Sequence, residues 1–139
     1  RVTDKKYPTF AIAHNNLGNN LSAERKFEEA ISHFKTAIEL KPDYAGAHNN
    51  LGNALSAERK FEEAIPHYKT AIKLRPDYAE VYYNLGDALS AEGDLEEAIS
   101  HYKTAIKLNP GFVKAHNKLK SALLLLEGNQ GWNRFTFNN

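Results

Sequence analysis

The chain has no cysteine among its 139 residues. Disulfide scaffolds, thiol catalysis and thiolate metal sites are therefore excluded. It has little net charge either: 18 Lys plus Arg against 17 Asp plus Glu leave +1 with histidine neutral. That balance gives no electrostatic pull toward nucleic acid or an anionic membrane, and neither is expected as a partner. No apolar run approaches the ~20 residues of a membrane-spanning helix, and no signal-peptide pattern opens the sequence, which favours the cytoplasm. Methionine is missing too and Arg1 comes first, so the sequence reads as a piece of something longer. What is present argues for a folded domain: hydrophobic residues make up 42%, with seven Phe, seven Tyr and one Trp.

The sequence repeats itself. Residues 11–44 and 45–78 are identical at 28 of 34 places, and residues 79–112 match the second unit at 22 of 34 without an insertion. Residues 113–127 begin a fourth unit, and residues 1–10 end on Pro8 and Phe10, 34 places ahead of Pro42 and Tyr44. A fixed period of this length marks a stacked repeat architecture. Within the first unit His14, Leu17, Gly18 and Leu21 recur at helical spacing, as do Phe27, Ala30, Ile31, Phe34, Ala37 and Ile38. Each unit is thus expected to be a helix pair. Pro42, Pro76 and Pro110 end the second helices, because proline lacks the amide donor and disfavours helical geometry in the residue before it. Glu28-Glu29, Glu62-Glu63 and Glu96-Glu97 open them, where carboxylates suit the helix dipole.

Three positions break the pattern instructively. Gly93 stands where a left-handed residue commonly closes a helix, with Arg25 and Arg59 at the equivalent places. All three are expected to share that conformation, at a cost of ~1 kcal/mol for each arginine. Pro66 replaces Ser32 and Ser100 inside the second unit's second helix and predicts a bend or a displaced turn. Lys120 replaces Gly18, Gly52 and Gly86 in the fourth unit, which predicts a capping helix over residues 113–127.

L-G-x-x-L, then A-x-x-x-F/Y-x-x-A, then Pro at the end of a 34-residue unit resembles the tetratricopeptide repeat family. The resemblance implies an all-α, right-handed superhelical solenoid of antiparallel helix pairs. It consists of three repeats (11–44, 45–78, 79–112), a lead-in (1–10), a cap (113–127) and a tail (128–139). It also implies a concave groove lined by the first helix of each repeat and a non-catalytic scaffold that binds a protein or peptide. The H-N-N-L-G segments further resemble the repeats of the O-linked N-acetylglucosamine transferases, whose superhelix carries an asparagine ladder. On that likeness the groove residues are Asn15, Asn16, Asn19, Asn49, Asn50, Asn53, Tyr83, Asn84 and Asp87. The residues themselves lend support. Asparagine is ~0.5–0.7 kcal/mol worse than alanine inside a helix, and its carboxamide can grip both the N–H and C=O of an extended peptide. The opposing view is that these amides only bond neighbouring helices or water.

Co-chaperones of the same family hold an acidic peptide's terminal carboxylate with two asparagines and three basic residues. Asn53, Asn84, Lys114 and Lys118 fit four of these five places, with Asn49 where a lysine belongs. Glu80 and Asp87 on the same stretch oppose an acidic tail.

Metal and cofactor sites are not expected. His33, His67 and His101, like His14 and His48, repeat at intervals of 34, and equivalent helices stack ~8–10 Å apart, too far to share an ion. The histidines read as packing or surface positions. Ser22, Ser56 and Ser90 lie in no nucleophile elbow, so the chain reads as no enzyme. Residues 128–139 lack helical periodicity and predict an extended tail, whose Trp132, Phe135 and Phe137 could dock on Leu124 and Leu125 or on a second copy. Self-association through cap and tail is therefore the competing function.

Overall fold

The computed structural model describes the backbone of residues 8–138 and the side chains of residues 8–130. Seven α-helices and no strand occur among them: α1 (Pro8–Ala23), α2 (Phe27–Leu40), α3 (Ala45–Ala57), α4 (Phe61–Leu74), α5 (Ala79–Ala91), α6 (Leu95–Leu108) and α7 (Val113–Asn138). The chain is an all-α helical-repeat solenoid. Two compact units divide it, Arg1–Asp77 and Tyr78–Asn139. In the first, α1 packs on α2, α2 on α3, and α3 on α4; in the second, α6 packs between α5 and α7.

Each helix pair is closed by the same device. The Gly52 backbone on α3 lies under the Tyr68 ring on α4, so closely that a Cβ at Gly52 would meet that ring at 2.6 Å. Gly18 lies likewise under Phe34, and Gly86 under Tyr102. Absence of a side chain thus lets a large aromatic from the second helix rest directly on the backbone of the first. Phe34, Tyr68 and Tyr102 are fully buried as a result, with Ala30, Ala64 and Ala98 beside them in the same cores.

The turn between paired helices is left-handed in all three repeats, at φ 63° for Arg25, 60° for Arg59 and 88° for Gly93. Two backbone bonds fix it: Lys60 N–H reaches Leu55 O and Arg59 N–H reaches Ser56 O, with counterparts at Lys26, Arg25, Asp94 and Gly93. These satisfy the last carbonyls of the first helix. The arginines gain something glycine cannot. Their guanidinium groups lie over the next aromatic ring, Arg25 over Phe27 at 5.5 Å and Arg59 over Phe61 at 5.3 Å, and this offsets part of the strain. Where Gly93 replaces arginine, Asp94 caps the next helix through Glu97 N–H.

The structure differs from the sequence-based expectation at three places. Helix α1 takes in residues 8–10, which belong to the segment read as a lead-in. Helix α4 covers fourteen residues beginning at Phe61, in register with α2 and α6, so Pro66 displaces no turn. Helix α7 continues through Asn138, so the backbone expected to be an extended tail is helical and the Phe135–Phe137 alternation does not apply. Adding a residue to a nucleated helix is far easier than starting one, and the packed start of α7 provides the nucleus. The side chains of Trp132, Phe135 and Phe137, and the segment 1–7, lie outside the described residues.

Candidate functional site

In the first unit Asn16, Asn19 and Asn53 are exposed and Asn50 is half-buried, whereas Asn15 and Asn49 are buried, with 6% and 2% of their surface accessible. The last two are therefore not open groove positions. Asn50 Nδ2 donates to Asn15 Oδ1 at 2.9 Å, and Asn15 Nδ2 donates to Tyr44 Oη at 3.2 Å. One relay of polar groups thus joins α3 to α1 and to the turn between repeats. A buried amide demands such partners. Reading the sequence alone, Asn50→Ala would hold or raise stability through helix propensity. The relay reverses that sign: removing the carboxamide leaves Asn15 Oδ1 buried without its donor, and Asn50→Ala is expected to lower stability by ~1–2 kcal/mol. A shift of the urea midpoint to lower concentration is the measurement; a rise would show that Asn15 finds another donor.

Asn53 is aimed differently. Tyr68 Oη donates to Asn53 Oδ1 at 2.7 Å, so the phenol's single proton is committed and Ser56 Oγ, at 3.1 Å, donates to Tyr68. With its carbonyl held by the buried ring, Asn53 keeps its amide N–H groups for whatever approaches the exposed side.

The second unit builds the same corner with a charge. Tyr102 Oη donates to Asp87 Oδ1 at 2.6 Å. Burial, and then the bond to Asp87, raise the Tyr102 pKa far above the ordinary phenol range. Burial followed by the Asp87 charge and hydrogen bond also raises that of Tyr83. Lys118 Nζ approaches the same carboxylate at 3.8 Å. Beside this cluster Tyr83, Lys114, Asn117, Lys118 and Ser121 line a cleft of about 440 Å³. Lys114 and Lys118 are four residues apart on α7 and so share one face. Chemically the cleft offers two ammonium groups, an amide and a hydroxyl over an aromatic wall, an arrangement suited to a carboxylate rather than to a cation.

Family models described as tetratricopeptide repeats match residues 50–111 and 23–58. The chain carries tetratricopeptide repeats. Among solved structures it is similar to the first such domain of Spaghetti (RPAP3) bound to the HSP90 peptide SRMEEVD. The two are 26% identical with a TM-score of 0.84, over 86% of this chain and 94% of that one. It is also similar to the second such domain of human RPAP3 in complex with the HSP70 peptide SGPTIEEVD, at 29% identity and a TM-score of 0.79, over 82% and 95%. MamA is 28% identical with a TM-score of 0.81, over 91% and 72%. No curated protein matches significantly.

Of the residues expected in the groove or in a carboxylate clamp, four in the second unit come together: Tyr83, Asp87, Lys114 and Lys118 surround one cleft or its rim. Asn84 lies half-buried on α5. Sequence reasoning missed Asn117 and Ser121 in that cleft. The period could have found Asn117, which stands 34 residues after Tyr83 and 68 after Asn49. It also missed the phenols of Tyr68 and Tyr102, whose aromatic repeat read only as core, and that of Tyr44 at the repeat end.

The histidines are more than isolated surface positions. His14 pairs with His33, Nδ1 to Nδ1 at 3.1 Å, and His48 with His67 at 3.3 Å, each across a helix pair. Among the described residues no group of three His, Asp or Glu side chains could hold a metal ion, and no helix is long and apolar enough to cross a membrane.

Proposed function

We propose that this chain is a non-catalytic scaffold that binds an extended peptide with an acidic end. The observation that carries this reading is the cleft on α5 and α7, where Lys114 and Lys118 stand over Tyr83 beside Asn117 and Ser121. A C-terminal carboxylate placed there gains charge-assisted hydrogen bonds, roughly twice as strong as neutral ones. Asp87, which the sequence set against an acidic ligand, is engaged by two phenols and approached by Lys118, so its repulsion is reduced. Both peptides bound by the similar RPAP3 domains end in Glu-Glu-Val-Asp, which fits this chemistry. In the first unit Asn16, Asn19 and Asn53 supply exposed amides for peptide backbone. Their recurrence supports the likeness to the transferase asparagine ladder, with Asn50 sharing its amide with Asn15.

Fluorescence anisotropy with labelled SRMEEVD, carrying a free or an amidated C-terminus, tests the proposal. Lys114→Ala and amidation are each expected to weaken binding about 10-fold or more, because a hydrogen bond to a charged group is worth ~1.5–3 kcal/mol. Absence of binding at millimolar peptide, or affinity indifferent to both changes, overturns the acidic-end reading.

Self-association is the second reading. Leu124 and Leu125 on α7 keep 59% and 57% of their surface accessible, an apolar patch of the kind partners cover. A concentration-independent monomer mass removes it.

A further inference from the structure

The paired imidazoles of the second repeat have a geometry that fixes their protons. In the His48–His67 pair the ring centroids are 5.6 Å apart and the Nδ1 atoms 3.3 Å. The difference is about two ring radii, so the two Nδ1 atoms face each other head-on. His48 Nε2 lies 3.0 Å from Pro42 O, an atom that can only accept, so Nε2 carries a hydrogen. In the neutral ring Nδ1 of His48 is then the acceptor, and His67 Nδ1–H is its donor. The head-on approach suits one proton and not a metal ion, which needs two lone pairs converging at an angle.

We infer that the His48–His67 pair is an acid-labile clasp that joins α3 to α4 at neutral pH and releases them when both imidazoles are protonated. One extra proton at His67 Nε2 leaves the bond intact. A second, on His48 Nδ1, sets two N–H groups head to head, and the contact that held the pair becomes repulsive. His48 is buried among these groups, so water cannot readily separate them. The charged groups acting on His67 are Lys35 from α2, which opposes its protonation, and Glu63 from its own helix, which favours it. Burial is the largest influence, followed by His48 and Lys35, and together they hold the His67 pKa below its ordinary value. A base held below its ordinary pKa carries fewer protons in the fold than in the unfolded chain. The linked stability therefore falls as pH drops through ~6.5 and levels off below the folded value.

The second unit lacks the device and serves as an internal control. Tyr82 occupies the position of His48, with its ring 6.1 Å from that of His101. His101 Nε2 lies 3.7 Å from Glu97 Oε1 on its own helix, the counterpart of Glu63 beside His67. The inference stands whether or not the groove binds peptide. If it does, opening α3 from α4 would disturb Asn50 and Asn53, and peptide held there would be released in acid.

Hydrogen–deuterium exchange of the whole chain at pH 7.5 and 5.0, corrected for intrinsic exchange rates, tests the clasp. Helices α3 and α4 are expected to open about 10-fold more readily at pH 5.0, while α6 changes little. His48→Tyr, which copies the arrangement at Tyr82, should abolish the acid response of α3 and α4. A similar response in α4 and α6, or an acid response that survives His48→Tyr, overturns the proposal. Should that variant fail to fold, nitrogen-15 spectra of the unaltered protein decide. Two coupled titration steps for His48 and His67 support the clasp, and independent titration of each ring overturns it.

Discussion

Gly52→Ala is expected to lower stability by about 2–3 kcal/mol, although alanine is the better helix former by ~1 kcal/mol. The added Cβ would stand 2.6–2.8 Å from three atoms of the Tyr68 ring, well inside van der Waals contact. The ring cannot easily withdraw. It is 1% exposed, and its hydroxyl is fixed by Asn53 and Ser56. Moving it breaks those bonds, and leaving it in place forces α3 away from α4. Gly18→Ala should be milder, because Phe34 has no hydroxyl to anchor its ring. Urea denaturation of both variants provides the measurement, with Gly52→Ala combined with Tyr68→Leu as the coupling test. The double variant should lose less than the sum of the two single losses, because the smaller side chain vacates the space the methyl needs. Equal stability of Gly52→Ala and the parent would mean that the ring moves freely and does not set the helix spacing.

Pro66→Ser is expected to stabilise by about 2 kcal/mol. Proline inside a helix forfeits one backbone bond and crowds the carbonyl four residues earlier, here that of Glu62, at a typical cost of ~3 kcal/mol. Part of that cost is already relieved, since Pro66 lies on the exposed face, where the freed carbonyl can reach water. Proline also restricts the unfolded chain, worth ~0.4–1 kcal/mol, and serine gives this up. The repeat supplies its own reference: Ser32 and Ser100 occupy the same place in α2 and α6. In all three helices a threonine four residues on bonds the carbonyl of this position, Thr36 to Ser32, Thr70 to Pro66 and Thr104 to Ser100. Serine at 66 therefore enters a site the fold already accommodates twice. The melting temperature should rise by several degrees. No change would show that α4 accepts the proline without strain.

The period of 34, the helix pairs and their ends were legible in the sequence because they rest on local physics. Helical spacing marks the buried faces, proline stops the second helices, and each tight turn within a helix pair calls for one left-handed residue. That last requirement identified Arg25, Arg59 and Gly93 as a set before their φ values were known. Repetition made each signal readable three times. The repeat was equally informative about the glycines, since a position kept free of Cβ in all three complete repeats implies a close neighbour.

Tertiary structure decided which side chains meet. Asn15 and Asn50 lie 35 residues apart, and His48 and His67 lie 19 apart, so no local pattern pairs them. Their contacts depend on the rotation of each helix about its own axis, which the packing of Phe34 and Tyr68 against glycine helps to set. Comparing equivalent histidines across repeats hid the true pairing, which lies between the two helices of one repeat. Asparagines that look alike in sequence also part company there: Asn15 and Asn49 are buried, while Asn16, Asn19 and Asn53 are exposed. The end of α7 was decided in the same way. Gly128 and Gly131 argue locally against a helix, but a helix already nucleated by packing against α6 extends for less than it takes to begin one. Sequence alone thus determined the architecture, because its determinants act within a few residues. Packing determined the polar pairs and the cleft, because these depend on how neighbouring helices rotate and approach.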